Sequence, residues 1–211
     1  MAKNFNLMPQ REALANIGKE FHHRNWMAGT AGNLSARIID APNSFWITSS
    51  GLPKGGLVAN DMIQVNIDDG NMLHRFQDTA KPSAETSIHQ TIYKLFPDAQ
   101  ACFHVHSVDA SLATDSISPS ALDMPLPPLE MIKGLDIWEQ DPQVDLPVFD
   151  NILDVQTIAR EIVKRFSQSP PKVPALMIRN HGITVWGDSL QQTYNRVEIV
   201  EFIMSYLARK A

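Results

Sequence analysis

The sequence predicts a single α/β domain, with helices layered against short strands, that covers residues 1–211. Several stretches carry apolar residues every three or four positions, which predicts amphipathic helices, and short apolar or alternating runs between them predict strands. The strands near the N-terminus follow one another closely, which favours some antiparallel pairing. The chain has 211 residues, of which 44% are hydrophobic and 19% charged. That size suits one domain with a sizeable core, and no break in composition indicates a second.

Five helices are expected, at residues 9–24, 81–96, 107–113, 154–166 and 188–209. In the second, Pro82 favours an extended Lys81 and Ser83 is a good N-cap, so the helix is expected to open there. Glu85 then falls in the first turn, where the helix dipole favours a carboxylate. We interpret His89, further along this helix, as a surface or interface residue and not as a metal ligand. Ser107 and Asp154 are the expected caps of the third and fourth helices.

Strands are expected at residues 34–39, 45–48, 61–67, 100–106, 175–178 and 183–186. Between the fourth and fifth lies a connection at residues 117–147 that is rich in Pro and Asp and has little periodicity. Connections of this length inside a compact domain are more often functional than idle. It carries Glu130, whose apolar neighbours Leu129, Met131 and Ile132 favour partial burial and a raised pKa. A solvated pair with Lys133 is the alternative.

Composition excludes several classes of protein. The formal net charge is −5, so the chain has no basic field and nucleic acid is not an expected partner. No apolar run approaches the ~20 residues that span a bilayer, and the N-terminus lacks the pattern of a signal peptide. A single cysteine, Cys102, fits a reducing compartment. We therefore expect a soluble, cytoplasmic enzyme or binding domain without nucleic-acid or membrane partners.

Three histidines form a candidate metal site. His104 and His106 lie two residues apart on a predicted strand, so their side chains share one face. His181 lies in a turn between two apolar runs, and three imidazoles with one position left open describe a catalytic zinc site. Cys102 shares the same strand face, although an inert buried cysteine is the favoured interpretation. The remaining histidines without such partners, His22, His23 and His74, are expected to be ordinary polar residues.

Two loops at strand ends, residues 29–33 and 48–51, are rich in Gly, Ser and Thr. Backbone N–H groups in such loops can bind an anion, but the same residues are common in plain turns. The plain turn is the more frequent outcome for either loop in isolation.

Five motifs occur in the order found in the class II aldolase/adducin family, which the chain resembles over nearly its whole length. They are Gly29-Thr30-Ala31-Gly32-Asn33-Leu34-Ser35, Thr48-Ser49-Ser50-Gly51, Lys81-Pro82-Ser83-Ala84-Glu85, His104-Val105-His106-Ser107 and Arg179-Asn180-His181-Gly182. The resemblance implies a three-layer αβα sandwich with a mixed, mainly antiparallel central sheet, and a homotetramer with active sites at subunit boundaries. It also implies one Zn²⁺ per subunit on His104, His106 and His181.

The resemblance extends to the substrate and the acid–base group. It implies that a sugar phosphate binds with its phosphate against Gly32, Asn33, Ser49, Ser50, Lys81 and Ser83. The motifs around Glu130 and after His181 are most similar to those of the family's dehydratases, in which the glutamate matching Glu130 is the acid–base group. In its aldolases and epimerases, the glutamate matching Glu85 has this role.

Dehydration of a ketose 1-phosphate, with Glu130 catalytic and Glu85 supporting, is therefore the expected function. A zinc aldolase or epimerase acting on another sugar phosphate is the alternative, which Ala84 weakens because the aldolases commonly have a serine there. A non-catalytic, adducin-like scaffold is the third hypothesis. Intact ligand histidines and both carboxylates argue against it.

Overall fold

A computed structural model describes residues 4–210, which form one nine-stranded sheet covered by helices on both faces. The helices are α1 (Gln10–His23), α2 (Thr86–Leu95), α3 (Val108–Asp115), α4 (Val155–Gln168) and α5 (Leu190–Lys210). The strands are β1 (Asn33–Ile38), β2 (Ala41–Thr48), β3 (Met62–Asn66), β4 (Met72–His74), β5 (Ala101–Val105), β6 (Asp123–Pro125), β7 (Asp145–Phe149), β8 (Ala175–Ile178) and β9 (Gly182–Gly187). No helix within residues 4–210 is long and apolar enough to cross a membrane.

The sheet has the strand order β4-β3-β2-β1-β5-β9-β8-β7-β6. Within the part of the chain described, only β7 and β8 pair in parallel, and the other neighbours are antiparallel. The sheet is therefore mixed and mainly antiparallel, as predicted. Its central strand, β5, pairs with β1 on one side and β9 on the other, so that residues from three strands meet at its end.

Two hydrophobic cores lie on opposite faces of the sheet. Side chains of α1, α3 and α5 pack in one core and those of α2 and α4 in the other. Alternation along β5 sends Phe103 and Val105 to the first core and Cys102 to the second. Helices on both faces of one sheet make the predicted αβα sandwich.

The start of α2 differs from the prediction. The helix begins at Thr86, so Glu85 and not Ser83 occupies the N-cap position. Pro82 instead forms an isolated bridge with Ser49, which keeps this segment extended beside the end of β2. The hydroxyl of Ser83 accepts a weak bond from the Glu85 backbone N–H at 3.3 Å. The other expected caps are confirmed: Ser107 caps α3 and Asp154 caps α4.

The connection at residues 117–147 contains structure that periodicity did not predict. It includes β6, the first residues of β7 and a 3-10 helix at Glu130–Leu135. Met124 and Leu126 are buried in the core on the α1–α3–α5 face, whereas Met131 is exposed. This segment thus closes one edge of the sheet and leaves the first residues of the 3-10 helix at the surface.

Candidate metal centre and active site

His104 and His106 lie at the end of the central strand and face each other. His104 is a buried residue near the end of β5, and His106 follows the strand, bridged to Met27. The two Nε2 atoms are 2.8 Å apart. The ring of His181 completes a triangle, with centroids 5.0 Å from His104 and 4.4 Å from His106. The structure therefore brings together the three histidines that the sequence selected.

The hydrogen bonds of His104 aim one nitrogen into this triangle. Its Nδ1 lies 2.9 Å from the carbonyl oxygen of Ile183 and 3.0 Å from the hydroxyl of Thr184, both on β9. Because a carbonyl only accepts, Nδ1 carries the proton and Nε2 presents a lone pair. Burial, followed by the charges of His104 and His181, lowers the pKa of His106 to about 3. Neutral imidazoles pointing at one centre are the form that binds a divalent metal.

His181 is positioned by the turn between β8 and β9. Asn180 before it has a left-handed backbone, with φ of 50°. Gly182 after it lies so close to β5 that an added Cβ would be 2.1 Å from the carbonyl oxygen of Val105. His181 Nδ1 lies 3.2 Å from the side-chain oxygen of Asn151, which orients Nε2 towards the other rings.

Glu85 is the fourth member of the cluster. Its Oε1 lies 2.8 Å from Nε2 of His181, and its Oε2 lies 3.5 Å from Nε2 of His104. Burial alone would raise the pKa of Glu85, but the charge and hydrogen bonds of His104 and His181 hold it well below its usual range. The four candidate ligand atoms all lie within 4.8 Å of one another, a set that fits a divalent cation.

A buried hydrogen-bonded chain stands behind this carboxylate. The amide of Asn33 donates to Glu85 Oε2, and its carbonyl oxygen lies 2.5 Å from Nε2 of His89. On the other side of the ring, His89 Nδ1 lies 2.6 Å from the hydroxyl of Ser35, which lies 2.8 Å from that of Tyr93. The prediction that His89 is a surface residue is wrong, because its ring is fully buried. Burial lowers its pKa to about 3 and keeps the ring neutral.

Known proteins resemble this chain in both sequence and fold. The family described as class II aldolase and adducin N-terminal domain matches residues 12–207. The methylthioribulose-1-phosphate dehydratase of Microcystis aeruginosa is 53% identical over 93% of this chain and 94% of its own. That of Leptospira biflexa is 41% identical over 97% and 99%.

A solved L-fuculose 1-phosphate aldolase superposes with a TM-score of 0.75 at 22% identity, over 99% of this chain and 89% of its own. The chain belongs to the class II aldolase and adducin family. This member of the family carries the cluster of three histidines and one glutamate. The resemblance predicted from the sequence is confirmed.

The residues that are expected from the sequence to bind the substrate phosphate lie in two parts of the structure. Ser49, Ser50, Lys81 and Ser83 lie together, since Ser50 N donates to the Lys81 carbonyl at 2.9 Å and Ser49 bridges Pro82. Gly32 lies directly before β1 and has a φ of +76°. It has no room for a Cβ, which would be 2.8 Å from the His104 carbonyl oxygen. The side chains of Asn33 and Ser49 have partners within the chain, Glu85 for the first and the Asp61 carbonyl for the second.

Glu130 lies apart from the cluster within one chain. Its side chain is 82% exposed and pairs with Lys133 at 2.7 Å. The partial burial expected for Glu130 is therefore wrong for the isolated chain, and the alternative of a solvated pair is what the structure has. Cys102 is buried and free, and burial raises the pKa of its thiol, so it is not a ligand in the described cluster.

Two buried residues near the cluster, His89 and Lys54, were not predicted to belong to the site. His89 could have been found from its spacing, because Glu85, His89 and Tyr93 follow one another at intervals of four, from the N-cap of α2 into the helix. Lys54 lies in a 3-10 turn and is buried, yet no pattern in the sequence indicates this.

A cleft of about 570 Å³ opens over His106 and His181 and is flanked by Val108 and Leu112 of α3.

Proposed function

We propose that this protein dehydrates 5-methylthioribulose 1-phosphate to 2,3-diketo-5-methylthiopentyl 1-phosphate, a hydro-lyase reaction of methionine salvage. The observation that carries this proposal is the 53% identity, over nearly the full length of both chains, to a methylthioribulose-1-phosphate dehydratase. The cluster of three imidazoles and one carboxylate supports it, because this donor set suits chemistry next to a carbonyl. We place the enzyme in the cytoplasm as one domain over residues 1–211.

The metal we propose is Zn²⁺, one per subunit, held by His104, His106 and His181. The facing Nε2 atoms of His104 and His106, 2.8 Å apart, support this because two lone pairs so close repel unless a proton or a cation lies between them. When bound, the ion would supply Lewis-acid polarisation of the substrate carbonyl. Glu85 lies beside the same centre and is fixed there by Asn33.

The residues of the chain then bind the substrate and move protons. The loops with Gly32, Asn33, Ser49 and Ser50, together with the segment of Lys81 and Ser83, hold the phosphate. One carboxylate removes the C3 proton, and a carboxylic acid protonates the C4 hydroxyl, which leaves as water. The resulting enol gains a proton on carbon and becomes the 2,3-diketone.

We assign the main acid–base role to Glu130, acting in the site of a neighbouring subunit of a homotetramer. Exposure of Glu130 in the single chain supports this, because an exposed side chain is free to enter another subunit's cleft. Large apolar side chains at the surface, such as Trp138 at 72% and Leu153 at 103% exposed, support burial against other copies. Glu85 has the supporting role within its own chain.

A zinc aldolase or epimerase is the second candidate. One observation favours it: Glu85, which the resemblance assigns as the acid–base group of those enzymes, is the carboxylate inside the cluster. Breaking C3–C4 would leave the same electron pair at C3 as proton removal does. The two reactions therefore differ in where the acid and the base lie relative to the substrate, and they do not differ in the metal that they need.

Proton and phosphorus NMR of the metal-loaded enzyme with 5-methylthioribulose 1-phosphate tests this proposal. Formation of a 2,3-diketo phosphate, lost on chelation of the metal, is the expected result. Release of dihydroxyacetone phosphate and a methylthio aldehyde would establish the aldolase instead. An unchanged spectrum from a fully loaded protein would refute both activities on this substrate.

A further inference from the structure

Lys54 is a buried cation in the short turn that follows the Ser49–Gly51 loop. Its side chain is 1% exposed, although lysine is almost never buried without partners. The ammonium donates to the carbonyl oxygen of Thr30 at 2.7 Å and to that of Leu52 at 2.8 Å. Neither acceptor carries a full charge, so these bonds alone do not explain why a cation is kept here.

One of the two carbonyls lies in the first loop that the proposed function assigns to the phosphate, and the other lies directly after the second loop. Thr30 lies in the loop that leads to Gly32 and Asn33, and Leu52 follows the loop of Ser49 and Ser50. One ammonium thus connects segments that are far apart in sequence. An ammonium has three N–H donors, so one remains beyond these two bonds.

The charges around Lys54 complete the argument. Burial lowers the pKa of Lys54 to about 8, and the nearby carboxylate of Glu85 acts in the opposite direction. Lys54 in turn contributes to the lowered pKa of His106, so it lies within electrostatic reach of the cluster. A phosphate monoester brings close to two negative charges into the neighbourhood of Glu85, and a cation there offsets the repulsion.

We propose that Lys54 is the positioning residue of the phosphate end of the site, where it ties the two binding loops together and supplies the positive charge that the substrate phosphate needs. This inference rests on the proposed function for the identity of the substrate. The two loops and the buried positive charge support a phosphate monoester as the class of ligand.

The test compares Lys54→Met and Lys54→Gln with the wild-type enzyme, all loaded with zinc. The matched control is Lys94→Met, because Lys94 also donates to a backbone carbonyl, that of Asp68 at 2.7 Å, but is exposed. Affinity for inorganic phosphate is measured by phosphorus NMR titration, and KM and kcat are measured with 5-methylthioribulose 1-phosphate. Metal content and thermal unfolding are recorded for each variant.

Both Lys54 variants are expected to bind phosphate about tenfold more weakly or worse, with a matching rise in KM and full metal content. The Lys94 variant is expected to match the wild type. If Lys54→Met does not fold, Lys54→Gln decides, since it keeps an N–H donor for one carbonyl. Phosphate affinity within about twofold of wild type in a folded variant would overturn the proposal. A wild-type enzyme that binds phosphate but leaves the substrate unchanged would refute the proposed function and not this one.

Discussion

Oε1 of Glu85 lies 2.8 Å from Nε2 of His181, while Oε2 of the same carboxylate accepts a hydrogen bond from the amide of Asn33. The carboxylate is therefore held from two sides, by a candidate metal ligand at the open end of the site and by a buried chain at the other. A group fixed in this way can orient a ligand or a substrate without rearranging.

Glu85→Gln is expected to weaken metal retention and to lower turnover by about 10- to 100-fold, because the amide removes the charge that faces His104 and His181. Metal content after dialysis and the rate of dehydration check this. Glu161→Gln, on the exposed surface of α4, is the control and should behave as wild type. Unchanged metal content and rate in the Glu85 variant would show that Glu85 has no part in metal binding or turnover.

The sequence located the three histidines of the candidate metal site because their geometry is local. Alternation along β5 places His104 and His106 on one face, and the turn before Gly182 presents His181, so each depends on a short stretch of chain. The helices and six of the nine strands that the structure describes followed from periodicity for the same reason, whereas β4, β6 and β7 were not predicted. The start of α2 did not, because the bridge between Pro82 and Ser49 is a tertiary contact that outweighs the capping preference of Ser83.

The residues that support the ligands were harder to predict. His89 and Lys54 are polar types that are usually exposed, and their burial depends on partners distant in the chain: Asn33 for the first, Thr30 for the second. The position of Glu130 relative to the cluster depends on other subunits in our proposal. Neither the distant partners of a buried residue nor the arrangement of subunits can be predicted from a local sequence pattern.

Mixing two inactive variants tests the proposed role of Glu130 between subunits. Glu130→Gln is expected to abolish turnover at full metal content, and His181→Ala to abolish it through loss of a ligand. If Glu130 acts in a neighbouring subunit, unfolding and refolding the two variants together should restore part of the activity, because some sites then combine an intact Glu130 with an intact cluster. Each variant refolded alone is the control. A near-wild-type rate for Glu130→Gln alone would end the assignment, and no recovery in assembled mixtures would place Glu130 in its own subunit's site.

His89 should act on the site through Asn33 alone. His89→Phe leaves the Asn33 oxygen without its donor at 2.5 Å, so we expect a lower kcat, a smaller effect on KM and a loss of about 2 kcal/mol in the free energy of unfolding. His89→Gln, whose amide nitrogen can occupy the place of Nε2, should recover most of the activity. Steady-state kinetics and urea unfolding of the two variants measure these effects. Equal kcat in all three proteins would show that the buried chain has no part in turnover.

Gly182 is expected to tolerate no side chain. In Gly182→Ala the new Cβ would meet the Val105 carbonyl oxygen at 2.1 Å, so β9 must move from β5 and take His181 with it. We expect a lower melting temperature together with reduced metal content. Gly56→Ala is the matched control, since a Cβ there meets nothing within 4 Å and should leave both quantities unchanged. Full metal content in a folded Gly182→Ala protein would show that the strands adjust without moving the ligand.

Glu201 makes the stability of the fold depend on pH. Its carboxylate is buried on α5, and neither oxygen has a hydrogen-bond partner at standard geometry among the residues that the structure describes. Burial raises its pKa from 4.5 to about 7, against a smaller opposing effect of the Ser107 hydroxyl. A raised pKa means that the folded state binds more protons than the unfolded state, so stability falls as the pH rises from 4.5 to about 7 and stays reduced above that.

Glu201→Gln removes this cost because the amide carries no charge. The variant should therefore exceed the wild type in free energy of unfolding by up to about 3 kcal/mol at a pH well above the folded pKa of Glu201, and by little at a pH near the unfolded pKa. Urea unfolding at a fixed protein concentration, at pH values below and above this window, measures the difference. Glu198→Gln, one turn earlier, loses an ion pair with Arg24 and should not stabilise at either pH. A Glu201 variant with the same change in stability at both pH values would mean that the carboxylate keeps its ordinary pKa in the fold.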